Sequence, residues 1–200
     1  MAERDQRRTN QRNVESRRQR ILQAAMEEFA ERGFFGASIS RIAKRAGVAK
    51  SLVLYYFDSK DALYRAVADY AIQMVEAPLY EALPDLPRDF FDRMISLSMI
   101  KLRAYQQQPV LYRFIVRSLA DPAVSAEFRR RAQSTSARAM EVFFKDVDTS
   151  RLRPGVTLEQ ALTLVTLVGE GLYPRLMTRL LESRDLGYAE YVGLVDPGWA

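Results

Sequence analysis

The residues best placed to do chemistry lie in one stretch, residues 38–60, which reads Ser-Ile-Ser-Arg-Ile-Ala-Lys-Arg-Ala-Gly-Val-Ala-Lys-Ser-Leu-Val-Leu-Tyr-Tyr-Phe-Asp-Ser-Lys. Its first part carries apolar residues at helical spacing: Ile39, Ile42, Ala43 and Ala46. Gly47 follows and can take the positive φ of a sharp reversal. A second short helix is predicted from 49 to 57, with Lys50 and Ser51 at its start. This layout is typical of a helix-turn-helix, whose second helix places its N-terminal residues in a DNA major groove.

The composition excludes most other chemistry. The 200 residues contain neither Cys nor His, so disulfides, Cys or His metal sites and histidine-assisted nucleophiles are unavailable. The acidic pair Glu27-Glu28 is typical of a solvated helix face, and we predict no enzyme activity, no cofactor and no metal. No apolar run approaches the roughly 18 residues that span a bilayer, and the polar N-terminus lacks a signal peptide's apolar core. We therefore expect a cytoplasmic protein without a membrane partner.

The net charge of +5 is unevenly distributed along the chain. Residues 1–60 contain 13 Lys or Arg and 7 Asp or Glu, whereas residues 61–200 contain 17 and 18. A basic excess confined to one end suits a DNA-binding segment joined to a domain with another task. A solvated basic surface is the alternative, and the adjacent helix-turn-helix favours DNA.

A gap-free motif within residues 15–75 extends this pattern. It consists of Arg20-Ile21-Leu22-Gln23-Ala24-Ala25, Phe29, Gly33, Ser38-Ile39, Ile42-Ala43, Ala46-Gly47-Val48, Tyr55-Tyr56-Phe57, Ser59-Lys60 and Leu63. In order and spacing the motif resembles the TetR family of bacterial transcriptional regulators. The resemblance implies a homodimer that binds operator DNA and releases it when a small molecule enters the C-terminal domain. Four positions differ from the family's usual residues: Ala37, Ala49, Ser51 and Leu54.

We predict that nine residues contact DNA: Ser38, Ala49, Lys50, Ser51, Leu52, Leu54, Tyr55, Tyr56 and Lys60. Lys50 can reach a phosphate or a guanine edge, and the two leucines can contact thymine methyl groups on the face that the family motif directs at DNA. Lys60 and the free amides at the start of the next helix form a predicted phosphate clamp. Val53 and Phe57 are predicted to be core residues.

Three segments are predicted from the composition and the motif. Residues 1–14 hold Arg4, Arg7, Arg8 and Arg12 among polar residues, which predicts a flexible basic arm. This arm either contacts DNA or only keeps the chain soluble. Residues 15–75 form the predicted DNA-binding domain, with its helix-turn-helix at 38–57. Residues 76–200 form the predicted regulatory and dimerisation domain.

Periodicity predicts an all-α protein. The first helix is expected from Val14 to Glu31, with Gly33 as its C-terminal cap and Phe34-Phe35 packed in the small N-terminal core. A helix from Ser59 to before Pro84 links this three-helix domain to the C-terminal one. The helices expected beyond it cover 89–107, 109–119, a segment from 122 to about 145, 157–181 and 183–195.

Met and aromatic residues in the C-terminal segment suggest a pocket for a lipophilic effector, as the resemblance also implies. The predicted lining residues are Met94, Met99, Leu102, Tyr105, Phe114, Phe128 and Phe143. At helical spacing such residues are also common in an ordinary core, and that alternative stays open.

The helix predicted from Thr157 to Leu181 is apolar around most of its circumference, so it must be buried on several sides. A second subunit is the natural cover, and the predicted dimer interface comprises Leu158, Leu162, Val165, Val168, Leu172 and Leu176. The alternative is a central core helix within one subunit.

These observations together predict a ligand-responsive homodimeric repressor that binds a palindromic, double-stranded operator. One alternative is an activator, or a regulator that needs no ligand, with the same fold. Another is a helical small-molecule-binding protein that does not act on DNA. Sequence-specific DNA binding separates the last alternative from the others.

Overall fold

The computed structural model describes residues 2–167, and within them the side chains of 14–104, 106–134 and 138–167. The helices are α1 (Ala2–Gly36), α2 (Ile39–Ala46), α3 (Lys50–Phe57), α4 (Lys60–Ala82), α5 (Phe90–Gln107), α6 (Pro109–Ala120), α7 (Ser125–Phe143) and α8, described over 158–167. A 3₁₀ turn at Leu83–Asp85 follows α4. The described residues contain no strand, only an isolated bridge between Asp89 and Asp148, and the prediction of an all-α fold is confirmed.

Helix α1 is longer than the sequence analysis predicted. It begins at Ala2, so the segment expected to be a disordered arm is helical in the structure. The physical reason is local: the chain has neither Pro nor Gly between Ala2 and Gly33, and Ala, Arg, Glu and Gln are good helix formers. The side chains of the four arm arginines lie outside the described set.

Helix α1 is broken once, at Gly33, where φ is 68° and ψ is 178°. That conformation is accessible almost only to glycine. The chain on both sides of the break is joined to α6 and its C-cap. The N–H of Phe34 donates to Asp121 Oδ2 at 3.2 Å, and Arg117 Nη1 donates to the Glu31 carbonyl at 3.2 Å. A Cβ atom on Gly33 would lie 3.2 Å from Arg117 Nε. The break therefore fixes where α1 ends relative to α6.

The N-terminal core is built by α1, α2, α3 and α4. Its almost completely buried side chains include Ile21, Leu22, Ala25, Phe29, Ile42, Val53, Leu63 and Val67. The predicted apolar stripe of the first helix and the predicted core residue Val53 are thus confirmed. Burial of such side chains contributes roughly 1.5–3 kcal/mol each, which supports short helices that would not persist in isolation.

A cluster of aromatic rings joins α1, α4 and α6. Tyr64 makes edge contacts with Phe29 and Phe34 at centroid distances of 5.3 and 5.4 Å, and Phe114 lies 5.7 Å from Tyr64. Burial raises the pKa of Tyr64 to about 12. Phe35 does not join the buried cluster, since 77% of its surface is exposed, and the prediction that it packs in the small N-terminal core is wrong.

A buried arginine organises the chain around the end of α7. Arg93 donates from Nη1 to the Phe143 carbonyl at 2.9 Å and from Nε to the Pro87 carbonyl at 2.5 Å. The last carbonyls of a helix have no partner within the helix, and a buried guanidinium meets that need. Arg93 therefore ties the loop before α5 to the end of α7.

The described chain divides into two compact units, residues 2–87 with 91–146, and residues 88–90 with 147–167. In the second unit the N–H of Asp148 donates to the Arg88 carbonyl at 2.7 Å, and Arg151 forms an ion pair with Asp89 at 2.8 Å. The predicted boundary near residue 75 falls inside α4 and stays a prediction.

Helix α8 begins with a reciprocal cap. Thr157 Oγ1 accepts from the N–H of Gln160 at 3.2 Å, and Gln160 Oε1 accepts from the N–H of Thr157 at 3.0 Å. This is a capping box, which satisfies two amide groups that a helix start would otherwise leave open. The predicted capping role of Thr157 is confirmed.

Substitution of Gly33 and Gly47, two of the three positive-φ glycines in the described residues, should compare the break beside α6 with an open turn. Gly33→Ala should lower the free energy of unfolding by about 2–3 kcal/mol, because its conformation excludes a side chain and Arg117 must move. Gly47→Ala is the matched control: φ is 66°, but no atom lies within 4 Å of the added methyl group, and a loss of about 1 kcal/mol is expected. Urea unfolding followed by circular dichroism measures both, and equal losses would contradict a role for α6.

Candidate nucleic-acid interface

Helix α2 is defined at both ends by its cap residues. Ser38 has extended backbone angles, and its Oγ accepts from the N–H of Arg41 at 3.5 Å. At the other end Gly47 takes a left-handed conformation, and the N–H of Val48 donates to the Ala43 carbonyl at 3.0 Å. The helix is therefore short because the sequence both starts and stops it, which is what a helix-turn-helix requires.

Helix α3 presents one exposed face. Val53 and Phe57 are buried and anchor the helix, as predicted. Lys50, Ser51, Leu54 and Tyr55 are exposed, with Tyr55 at 79%, while Ala49 is exposed and Leu52 and Tyr56 are half-buried. Positions i, i+1, i+4 and i+5 share one side of a helix. The structure thus brings four of the predicted DNA-contacting side chains onto a single surface, which we call the α3 face.

The start of α3 has open backbone donors. Ala49, its N-cap, makes no side-chain capping hydrogen bond, and its carbonyl accepts from the N–H groups of Leu52 and Val53 at 3.0 and 3.4 Å. The first amides of a helix have no acceptor within the helix. Beside Lys50 and Ser51, those amides are suited to an anion such as a phosphate group.

A tight γ-turn centred on Asp58 joins α3 to α4. At Asp58 φ is 58° and ψ is −46°, and the N–H of Ser59 donates to the Phe57 carbonyl at 2.5 Å, which is the geometry of a γ-turn. Ser59 then caps α4, since its Oγ accepts from the N–H of Ala62 at 3.1 Å. The start of α4 is therefore held at a fixed place beside the end of α3.

Lys60 links α4 to the junction between α1 and α2. Its Nζ lies 3.5 Å from the carbonyl oxygens of Phe35 and Ala37 and 4.7 Å from the centroid of the Phe34 ring. The side chain is half-buried, so its charge serves these internal contacts as well as any external anion. Its role as a phosphate clamp stays a prediction.

A buried carboxylate underlies α2. The Glu28 side chain is almost completely buried, and its Oε1 accepts from Arg41 Nε at 2.5 Å and from the N–H of Ser38 at 3.3 Å. Its Oε2 lies 3.8 Å from Nη2 of Arg45. The prediction of a solvated acidic face is therefore wrong for Glu28. A signal existed in the sequence, because Glu28 lies three residues after buried Ala25 and seven after buried Ile21.

Arg45 extends this network to the surface. It forms ion pairs with Glu31 at 2.8 Å and with Glu27 at 3.0 Å. Hydrogen bonding with Glu31, followed by that with Glu27, raises the pKa of Arg45, and the same contact lowers the pKa of Glu31. The three acids of α1 therefore hold the two arginines of α2, which keeps both arginines from moving freely at the protein surface.

The predicted pocket residues fall into different surroundings. Leu102, Phe114, Phe128 and Phe143 are buried, Met94 and Met99 are half-buried, and the Tyr105 side chain lies outside the described set. Phe114 contacts Phe128 at a centroid distance of 6.1 Å within the aromatic cluster, whereas Phe143 contacts Tyr80 at 4.9 Å. The pocket stays a prediction.

The predicted dimer residues are described in part. Leu158, Leu162 and Val165 are half-buried on α8, whereas Val168, Leu172 and Leu176 lie outside the described residues. Two further leucines of α8, Leu164 and Leu167, are 63% and 62% exposed. Helix α8 therefore exposes apolar surface over the turns that the structure describes.

The described residues contain no helix with both the length and the apolar content needed to cross a membrane. Within the same part of the chain, no group of three or more acidic side chains is placed to hold a metal ion.

The fold and the α3 face define a class of protein, the all-helical proteins with an N-terminal helix-turn-helix. Residues 21–67 match the family model described as bacterial regulatory proteins, tetR family, so this segment of the chain resembles that family. The resemblance drawn from the sequence motif is thus confirmed.

Two curated relatives show how far the similarity extends. The HTH-type transcriptional regulator RutR of Escherichia coli K12 is 37% identical over 102 residues, which are 50% of this chain and 48% of RutR. The match thus spans about half the length of that relative. The HTH-type transcriptional repressor AcnR of Corynebacterium glutamicum is 26% identical over 181 residues, or 90% of each chain.

Solved structures match the fold over nearly the whole chain. A TetR family transcription regulator from Marinobacter aquaeolei VT8 superposes with a TM-score of 0.64 at 22% identity, covering 92% of this chain and 93% of that one. A TetR-like transcriptional regulator from Rhodococcus sp. RHA1 gives 0.64 at 23% identity over the same shares. At these identities the likeness concerns the fold.

Charge neutralisation of Glu28 should destabilise the helix-turn-helix. Glu28→Gln keeps the shape of the side chain but removes the ionised acceptor from Arg41 and Arg45, and the free energy of unfolding should fall by about 1–3 kcal/mol. Chemical denaturation at pH 7 measures this free energy of unfolding. The matched control is Glu31→Gln on the same helix, where the carboxylate is exposed and the change should be much smaller. A loss for Glu28→Gln no larger than that of the control would rule out the structural role.

Proposed function

We propose that this protein is a transcriptional repressor that acts in the cytoplasm and binds a palindromic operator through α3. The observation that carries the proposal is the α3 face, in which Lys50, Ser51, Leu54 and Tyr55 project from a helix anchored by buried residues. A lysine, a hydroxyl group and an apolar side chain can contact a guanine edge, a phosphate and a thymine methyl group respectively. The similarity to AcnR, which is named a transcriptional repressor, supports repression rather than activation.

The surroundings of the α3 face favour DNA over a neutral partner. The first 60 residues carry an excess of six positive charges, while the rest of the chain carries an excess of one negative charge. The starts of α2, α3 and α4 all contribute backbone amides near this surface, and such helix starts are favourable for phosphate groups. Phosphate contacts position a protein on the duplex, while base contacts give sequence specificity.

We further propose that two subunits bind the operator together. A two-fold axis would place the two α3 helices in successive major grooves, with half-sites about 34–36 Å apart. The exposed leucines of α8 support a second subunit as the cover of that helix, because neighbouring apolar side chains on one helix face form a contiguous surface that favours association.

A lipophilic effector would act through α4. This helix begins at Lys60, beside α3, and its later turns reach Tyr80, which packs on Phe143 of α7. Arg131 of α7 also forms an ion pair with Asp69 of α4 at 2.6 Å. An effector that binds better to a second arrangement of these helices would shift the start of α4 and reduce operator affinity. An activator, a ligand-independent regulator and a small-molecule-binding protein that does not act on DNA are the alternatives.

Operator binding should depend on Lys50. A duplex selected by the protein from a random pool should be palindromic, and Lys50→Ala should reduce affinity for it by about tenfold or more, as expected for loss of a base contact. Lys145→Ala removes an exposed lysine outside the helix-turn-helix and should have no effect. Fluorescence anisotropy at several salt concentrations measures both variants. Equal wild-type affinity for palindromic and shuffled duplexes would refute the repressor and favour the alternative that does not act on DNA.

Dimer formation should depend on the exposed leucines of α8. The double variant Leu164→Asp with Leu167→Asp should sediment as a monomer at micromolar concentration and lose operator affinity, because charges in an apolar interface lack partners. Thr166→Asp, at an exposed polar position of the same helix, is the control for added charge. A wild-type protein that is already monomeric in analytical ultracentrifugation would overturn the dimer.

A further inference from the structure

Phe35 is an exposed aromatic residue in a segment that is otherwise tightly held. Its neighbour Phe34 stacks on Phe29 and contacts Tyr64, whereas 77% of the Phe35 surface is open to solvent. The ring of Phe34 lies 5.7 Å from that of Phe35 and supports it on one side. A large apolar side chain held outward in this way is available to a partner.

The backbone around Phe35 is fixed by cations. Lys60 Nζ lies 3.5 Å from the carbonyl oxygens of Phe35 and Ala37, and Arg41 Nη2 donates to the carbonyl of Gly36. Three successive carbonyls therefore accept from two positively charged side chains. The Phe35 ring therefore lies on a segment held next to Lys60, while the charge of Arg41 is balanced by Glu28.

The same segment leads directly into the start of α2 and contacts the start of α4. Ser38 caps α2 three residues after Phe35, and Lys60 is the first residue of α4. Both helix starts favour a phosphate group. A DNA strand alternates phosphate groups with deoxyribose rings, and the carbon face of a deoxyribose is apolar. A strand with a phosphate at either helix start would carry its neighbouring sugars past the segment that holds Phe35.

We propose that Phe35 packs its ring against a deoxyribose of the operator backbone, next to a phosphate held at the start of α2 or α4. This inference rests on the proposed DNA binding and adds an apolar backbone contact to it. Charge complementarity selects the occupant, because a single ring next to Lys60, within a segment that carries an excess of six positive charges, suits a polyanion with apolar sugars. The cores of protein interfaces are instead depleted of charge and use larger apolar patches.

The test compares an apolar truncation with a charge removal at the same edge. Phe35→Ala should weaken binding to the selected operator by about fivefold, the value of a partly buried phenyl group, without changing the salt dependence of the affinity. Lys60→Gln should weaken binding and lower the salt slope by about one if it also reaches a phosphate. Phe91→Ala, which truncates an exposed phenylalanine of α5, is the matched control and should leave the affinity unchanged.

The outcomes separate the inference from the function on which it rests. Failure of the wild-type protein to prefer its selected operator refutes the proposed function. If the wild type prefers its selected operator and Phe35→Ala binds that operator with unchanged affinity, only the sugar contact is overturned. A reduced salt slope in Phe35→Ala, or a changed sedimentation coefficient, also overturns it, because the residue would then position a phosphate contact or join a protein interface. Since Phe35 is exposed, the melting temperature of the variant should equal that of the wild type.

Discussion

The ionised carboxylate of Glu28, buried beneath α2, is the interaction on which the helix-turn-helix depends. It accepts from the backbone of Ser38 and from the side chain of Arg41, so a single group fixes both the start of α2 and one of its exposed turns. A buried charge is costly unless it is paired and hydrogen-bonded, and that cost disfavours any other placement of α2. The position of α3 is then fixed as well, because the Gly47 turn leaves it little freedom relative to α2.

The C-terminal end of α1 is held by contacts with α6. On the two sides of the break at Gly33, Arg117 of α6 binds the carbonyl of Glu31 and Asp121, the C-cap of α6, binds the N–H of Phe34. Aromatic rings fill the space between α1, α4 and α6. Helix α1 therefore contacts the helix-turn-helix through its acids and α6 through its C-terminal end. We therefore expect a movement of α6 to shift α2, and α3 with it, since α2 and α6 are attached to α1 within a few residues.

Much of this could be predicted from the sequence, because local patterns determined it. The helix-turn-helix, the burial of Val53 and the capping role of Thr157 all result from spacing and cap chemistry within a few residues. The burial of Glu28 was missed because an adjacent acidic pair is usually solvated, and only the partners on α2 make burial possible. The exposure of Phe35 could not be predicted because Gly33 interrupts the helix and resets the direction of the residues after it.

The γ-turn centred on Asp58 also limits how the length of the segment between α3 and α4 can vary. Its two hydrogen bonds, from Asp58 to Leu54 and from Ser59 to Phe57, use every backbone donor between α3 and the capped start of α4. A single insertion or deletion here would break at least one of these hydrogen bonds and release the start of α4 from its fixed place beside the end of α3. The segment between α3 and α4 should therefore tolerate changes of residue type far better than any change in its number of residues.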